Sequence, residues 1–117
     1  MSLELFAGNR VSDFASALRW YERLLGREPS FSPHDTEAVW ELAEHRWLFI
    51  VESPNAGGAI HTILVGDLDG LVSEVASRDL EPDEQVTYGS GARKAIYLDP
   101  DGNEIGFGQA PDDPGRV

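Results

Sequence analysis

Three histidines and 21 acidic side chains are the groups in this 117-residue chain that could bind a metal ion or move a proton. His34 and His45 lie in turn-like segments, where a solvated side chain is expected. His61 lies in an extended apolar segment, but one histidine is too few for a catalytic metal, which usually takes about three protein ligands. We therefore interpret His61 as a structural or dimer-contact histidine.

Other kinds of chemistry find little support in the sequence. The chain has no cysteine, which excludes disulfides, thiolate nucleophiles and sulfur-ligated zinc or iron. It has no Gly-x-Ser-x-Gly motif, and its C-terminal glycines do not precede a helix as phosphate-binding glycines do. Nucleophilic catalysis and nucleotide binding are therefore disfavoured.

The chain is strongly acidic, with a formal net charge of −12. This charge repels nucleic acid and anionic membranes and attracts a cationic small molecule, although solubility alone also explains it. No apolar run is long enough to cross a bilayer, and the first residues lack a secretory signal. We expect a cytoplasmic protein with no nucleic-acid or membrane partner.

An internal repeat organises the chain. Val11-Ser12-Asp13-Phe14 and Val65-Gly66-Asp67-Leu68 each end an extended apolar stretch and open a helical one. Asp13 and Asp67 are good N-caps. Gly26 follows the first helical segment, where a glycine in the left-handed conformation commonly ends a helix. Each repeat therefore begins with a strand and an amphipathic helix.

Three strand-like segments follow each helix, so each repeat predicts a βαβββ module. In the first module they are 28–34, 37–42 and 47–52, and in the second they are 85–88, 92–98 and 104–109. We predict a first module at 1–53, a linker at 54–58, a second module at 59–109 and a frayed tail at 110–117. The fold class is α+β, with the two modules forming a curved mixed sheet around a cleft.

The last two strands are joined by Asp99-Pro100-Asp101-Gly102-Asn103, a tight-turn sequence. This turn, the repeat and the helix end Trp20-Tyr21-Glu22-Arg23-Leu24-Leu25-Gly26 together resemble the vicinal oxygen chelate superfamily, which includes glyoxalases, extradiol dioxygenases and bleomycin resistance proteins. In its metal-using members, the resemblance places ligands at the positions of Phe6, Ile60 and Gly106. None of these residues can hold a metal, so we expect no metal and no cofactor.

The expected cleft wall is mainly apolar. The predicted ligand-binding residues are Phe6, Trp40, Trp47, Ile60, Thr62, Tyr97 and Gly106. A tryptophan offers a stacking surface for an aromatic or cationic guest, although core packing is the competing explanation for at least one of the two. The resemblance to bleomycin resistance proteins implies a metal-independent protein that sequesters a small organic molecule, and a homodimer.

Two alternatives remain open at this stage. One is a lyase, isomerase or dioxygenase with a rearranged metal site built from His61, Glu52 or Glu104. The other is a dimerising or regulatory module whose cleft is filled by its own side chains. The sequence names no ligand, and it does not decide whether the modules pair within one chain or between chains.

Overall fold

The computed structural model describes residues 3–111 and contains two βαβββ modules, as the repeat predicts. The elements of the first module are β1 (Leu5–Val11), α1 (Phe14–Leu25), β2 (Phe31–His34), β3 (Glu37–Ala43) and β4 (Arg46–Glu52). Those of the second are β5 (Ile60–Leu64), α2 (Leu68–Ala76), β6 (Glu84–Thr87), β7 (Arg93–Leu98) and β8 (Glu104–Gln109). The α+β class is confirmed.

Both helices begin at the predicted aspartates. The Asp13 carboxylate accepts a hydrogen bond from the Ser16 amide at 3.3 Å, and Asp67 accepts one from the Gly70 amide at 3.0 Å. Helix α1 ends at Gly26, whose φ of +76° is the left-handed conformation that favours glycine. Helix α2 has no such glycine and ends in right-handed geometry at Ser77.

Each module forms its own four-stranded mixed sheet. The strand orders are β1-β4-β3-β2 and β5-β8-β7-β6, and in each sheet the first two strands are parallel. Within residues 3–111 the two sheets are separate, because no ladder of backbone hydrogen bonds joins β1 to β5. The sequence predicted the modules but not this separation, because strand pairing between the modules depends on tertiary packing.

Side chains alternate between two faces of each sheet. One face is covered by the helices, and in the first sheet it carries Asn9, Val11, Leu48 and Ile50, all buried. The other face, which we call the open face, carries in the first sheet Phe6, Gly8, Arg10, Trp47 and Phe49. In the second sheet the open face carries Ile60, Thr62, Leu64, Lys94 and Gly106.

One hydrophobic core joins the two modules. It combines Trp20, Tyr21 and Leu24 of α1 with Ile105 and Phe107 of β8. Arg78, just beyond α2, donates hydrogen bonds to the carbonyl oxygens of Arg23 and Leu24 at the end of α1. The core therefore covers the centre of the helix-covered faces, whereas the open faces lie outside it.

The observed strands match the predicted ones to within a few residues. The largest difference is at β2, which begins at Phe31 rather than Glu28. The chain before it is held instead by a hydrogen bond from Trp40 Nε1 to the Arg27 carbonyl. The predicted turn is present, with Gly102 at a φ of +81°. The predicted tail falls largely outside the described residues. No helix within residues 3–111 is long and apolar enough to span a membrane.

Candidate functional site

A groove of about 740 Å³ lies between the first strands of the two modules. We call it the edge groove. Its walls come from the starts of β1 and β4, the end of β3 and the whole of β5. The lining residues are Leu5, Ala7, Leu42, Ala43, Arg46, Trp47, Leu48, Ile60, His61, Thr62, Ile63 and Leu64. Most of these side chains are apolar, and its size suits a small organic molecule.

Trp47 is the aromatic wall of the edge groove, and its neighbours hold it in place. The ring of Phe6 stacks on it, with centroids 5.4 Å apart and planes 5° from parallel. Phe31 packs edge-on at 6.0 Å, and Trp47 Nε1 donates a hydrogen bond to Glu4 Oε1 at 2.9 Å. The pKa of the Glu4 carboxyl is lowered by its hydrogen bonds from Trp47 and His45. The indole is thus oriented before any ligand arrives.

The opposite wall, strand β5, is far more exposed. Ile60 is 70% exposed and Leu64 is 75% exposed. Their neighbours on β8 include Gly106 and Gly108, which offer no side chains to cover them. The Lys94 side chain instead lies across Gly106, where an added Cβ would be 2.3 Å from Lys94 Cε, and its ammonium is 3.4 Å from Glu104. A half-buried ion pair therefore occupies the open face at Gly106.

His61 lies on β5 between Ile60 and Thr62, and the register of β5 against β8 turns it to the helix-covered side. Its Nε2 is 2.6 Å from Asn9 Oδ1, and Asn9 Nδ2 donates to the Tyr21 hydroxyl at 2.7 Å. The Tyr21 hydroxyl donates in turn to Asp99 Oδ2 at 2.7 Å. This chain of hydrogen bonds links both modules beneath the edge groove.

Burial raises the pKa of the Tyr21 hydroxyl strongly, and the nearby Asp99 carboxylate adds to the effect. Desolvation also lowers the pKa of His61, because burial disfavours its charged form. Both side chains are therefore neutral near pH 7. The network is held by hydrogen bonds to Asp99 and not by an ion pair.

The structure brings together only part of the predicted site. Trp47, Ile60 and Thr62 line the edge groove, Phe6 stacks behind Trp47, and Gly106 pairs with Thr62 on the neighbouring strand. Trp40 and Tyr97 do not reach the groove. Both are fully buried on helix-covered faces, because the strand register turns them toward the core. They lie in the core and not in the groove wall, which for Trp40 is the core-packing alternative.

Two roles were missed by sequence reasoning. Glu52, named above only for the alternative metal site, accepts a hydrogen bond from the Phe14 amide at 3.0 Å and so helps to cap α1. Asn9 was not singled out, although it connects His61 to Tyr21. The available signal was a polar residue at an inward-facing position of an apolar strand, which indicates a buried hydrogen-bond partner.

The positions that the resemblance assigns to metal ligands do not fit a metal ion. Phe6 stacks on Trp47, Ile60 is an exposed alkyl side chain, and Gly106 is crossed by Lys94. Within residues 3–111, no group of three or more His, Cys, Asp or Glu side chains is arranged to hold an ion. The donor chemistry at these positions therefore offers no metal site.

Two βαβββ modules joined through a shared core define the vicinal oxygen chelate fold. A model of the Glyoxalase/Bleomycin resistance protein/Dioxygenase superfamily matches residues 6–107. The chain therefore belongs to this superfamily. No curated protein sequence matches it.

Solved structures agree with this assignment. A glyoxalase/bleomycin resistance protein from Catenulispora acidiphila is 56% identical, with a TM-score of 0.91, over 94% of this chain and 100% of that one. A bleomycin-binding protein complexed with bleomycin is 18% identical, with a TM-score of 0.74, over 92% and 98%. A lactoylglutathione lyase from Agrobacterium tumefaciens is 15% identical, with a TM-score of 0.72, over 93% and 94%. The last two likenesses concern the fold alone.

Proposed function

We propose that this protein binds a small organic molecule in the edge groove without a metal ion and sequesters it unchanged. The observation that carries the proposal is the pre-oriented aromatic wall. Trp47 is fixed by Phe6, Phe31 and Glu4, and it faces an apolar strand across a cavity of about 740 Å³. A rigid aromatic surface reduces the ordering cost of binding, which favours a flat apolar guest.

The charge of the chain favours a cationic or aromatic guest. Its net charge of −12 raises the local concentration of cations around the protein. Tryptophan is also the aromatic side chain that attracts a cation most strongly. One protein of the same fold is described as bleomycin-binding, which makes bleomycin a suitable first probe.

Calorimetric titration with metal-free bleomycin, in the presence and absence of a chelator, tests the proposal. We expect equal affinities with and without chelator, and recovery of unchanged bleomycin by mass spectrometry. Trp47→Ala should weaken binding by about 10-fold or more, because it removes the stacking surface. Tyr88→Ala is the matched control, since Tyr88 is an exposed aromatic residue that does not line the groove.

Three results would contradict the proposal. Affinity that appears only when a divalent ion is added would overturn metal independence. A chemically altered ligand would overturn sequestration. Equal binding by the Trp47→Ala and Tyr88→Ala proteins would move the ligand away from the edge groove.

We also propose that the protein forms a homodimer. The open faces leave Phe6, Phe31, Ile60, Leu64 and Leu98 partly or largely exposed, and a second copy would shield such apolar surface. Light scattering coupled to size-exclusion chromatography should give twice the chain mass of 12.8 kDa. Leu64→Ser should shift the equilibrium toward monomer, whereas Glu44→Ser, a change at an exposed turn, should not.

A further inference from the structure

The hydrogen bonds beneath the edge groove have defined directions. Asp99 accepts from the Tyr21 hydroxyl, from Asn103 Nδ2 and from the amides of Asp101 and Asn103, so all four contacts use it as an acceptor. A hydroxyl that donates to a carboxylate still offers its own oxygen as an acceptor. The Tyr21 oxygen therefore accepts from the Asn9 side chain, and the atom that donates is the amide nitrogen, Nδ2.

This orientation of Asn9 determines which ring nitrogen of His61 carries the hydrogen. With Nδ2 turned to Tyr21, the Asn9 atom facing His61 is the carbonyl oxygen Oδ1, which can only accept. His61 Nε2 must then carry the hydrogen. In a neutral imidazole the other ring nitrogen has a free lone pair, so His61 Nδ1 is a hydrogen-bond acceptor.

Nδ1 is also accessible to solvent. Among the described residues, the one buried side-chain polar atom without a partner is the Tyr97 hydroxyl oxygen, so Nδ1 is not sealed in the core. His61 is half-buried and lines the edge groove. Nδ1 has no hydrogen-bond partner within residues 3–111, whereas Nε2 is bound to Asn9.

Two of the other polar side chains of the groove supply no acceptor. Arg46 is a donor only, and the Trp47 N–H is bound to Glu4. The Thr62 hydroxyl can accept as well as donate, but it lies on the opposite side of β5 from His61, because neighbouring strand residues alternate. Apolar Ala7, Leu42, Leu48 and Ile63 complete the lining on the His61 side.

We infer that Nδ1 of His61 is the acceptor with which the edge groove selects ligands that carry an N–H or O–H donor on an apolar body. The inference rests on the proposed binding function and narrows its ligand class. His61 is then a specificity-determining residue, and Asn9 and Tyr21 are positioning residues that hold its tautomer. Molecules of the same shape without a donor leave Nδ1 unpaired and bind less well.

Nitrogen-15 NMR of the histidine rings in the unliganded, full-length protein tests the tautomer directly. We expect His61 to carry its hydrogen on Nε2 at neutral pH, and Tyr21→Phe to mix the two tautomers because Asn9 loses the partner that orients it. A hydrogen found on Nδ1 in the wild-type protein would overturn the inference, whatever the protein binds.

A matched pair of probes tests the selection. Indole has an N–H donor, and 1-methylindole has nearly the same aromatic body without it. Ligand-observed NMR titration of the wild-type protein should show indole binding about 3- to 10-fold more tightly, which is the range expected for one hydrogen bond. His61→Phe should remove this preference while keeping the aromatic volume.

His61→Phe leaves Asn9 Oδ1 without its partner and could destabilise the fold, so Asn9→Ala/His61→Phe serves as a second variant in which that unpaired atom is absent. Loss of the preference in either folded variant supports the inference. Equal binding of both probes to the wild-type protein overturns the inference but leaves the proposed function standing. Binding of neither probe, or binding unaffected by Trp47→Ala, overturns the edge groove as the binding site as well.

Discussion

The two modules share one order of strands and helices, but different kinds of side chain cover their open faces. In the first, aromatic rings fill the space, with Phe6 stacked on Trp47 and the Phe49 ring lying over Gly8. In the second, β8 carries Gly106 and Gly108, with the Lys94 side chain over Gly106 and the Leu64 and Thr62 side chains beside Gly108. One topology therefore provides a rigid wall and an adaptable wall.

The helix-covered faces of the two modules show a second difference. His61 and Ala7 are counterparts in the repeat, since each lies four residues before the valine that closes the repeat's apolar stretch. Asn9 in turn corresponds to Ile63. The polar pair thus takes one residue from each module, and it forms only where β1 and β5 meet. The polar contact therefore depends on a difference between the two modules at equivalent positions.

The largest expected effect is on the free energy of unfolding. It should distinguish the turns that join the last two strands of each module. Asp99→Ala removes an acceptor from the buried Tyr21 hydroxyl and Asn103 side chain, so we expect a loss of about 3–4 kcal/mol in the free energy of unfolding. Glu44→Ala, in the exposed turn of the first module, should change it by less than about 0.5 kcal/mol. Urea denaturation measures both. Similar losses would show that the two turns contribute equally.

A smaller effect on stability should distinguish the two open faces. A Cβ at Gly8 would lie 2.2 Å from the Phe49 ring, so Gly8→Ala must displace a packed aromatic side chain and should cost about 1–3 kcal/mol. At Gly106 the obstructing atom belongs to the flexible end of Lys94, and Gly106→Ala should cost less than about 1 kcal/mol. Thermal and urea unfolding test the pair. Equal costs would mean that the first wall is not the more rigid one.

The smallest effect is a dependence of stability on pH. Burial lowers the pKa of His61 below its ordinary value of 6.5, so the unfolded chain binds a proton more readily than the folded chain. His61 should therefore contribute no penalty above that value and should destabilise the fold progressively as pH falls below it. The hydrogen-bond partner of His61 is Asn9 on β1, and the charged residue that shares the groove lining with it is Arg46 at the start of β4.

Urea denaturation between pH 7.5 and pH 5.5 checks this dependence. The wild-type protein should lose more stability on acidification than the Asn9→Ala/His61→Phe variant, which has no ionisable group at this position. The Tyr21 hydroxyl does not titrate in this range, and the shared Asp and Glu residues contribute alike to both proteins. Parallel curves for the two proteins would remove His61 as the cause.

Much of the fold could be predicted because its signals are local. An aspartate before an amphipathic segment fixes a helix start, as at Asp13 and Asp67, and Gly102 fixes the turn between the last two strands. The site was predicted less fully, because Trp40 and Trp47 look alike in the sequence and the pairing of β3 with β4 turns one inward and the other outward.

The sequence by itself determined the repeated βαβββ order, the helix caps, the closing turn and the absence of ligating atoms at Phe6, Ile60 and Gly106, because each depends on residue type and short-range spacing. Only the tertiary structure decided that Asn9 meets His61, that Lys94 crosses Gly106 and that a groove opens between β1 and β5. Those contacts join residues far apart in the chain, and their geometry is set by how the two modules share one core.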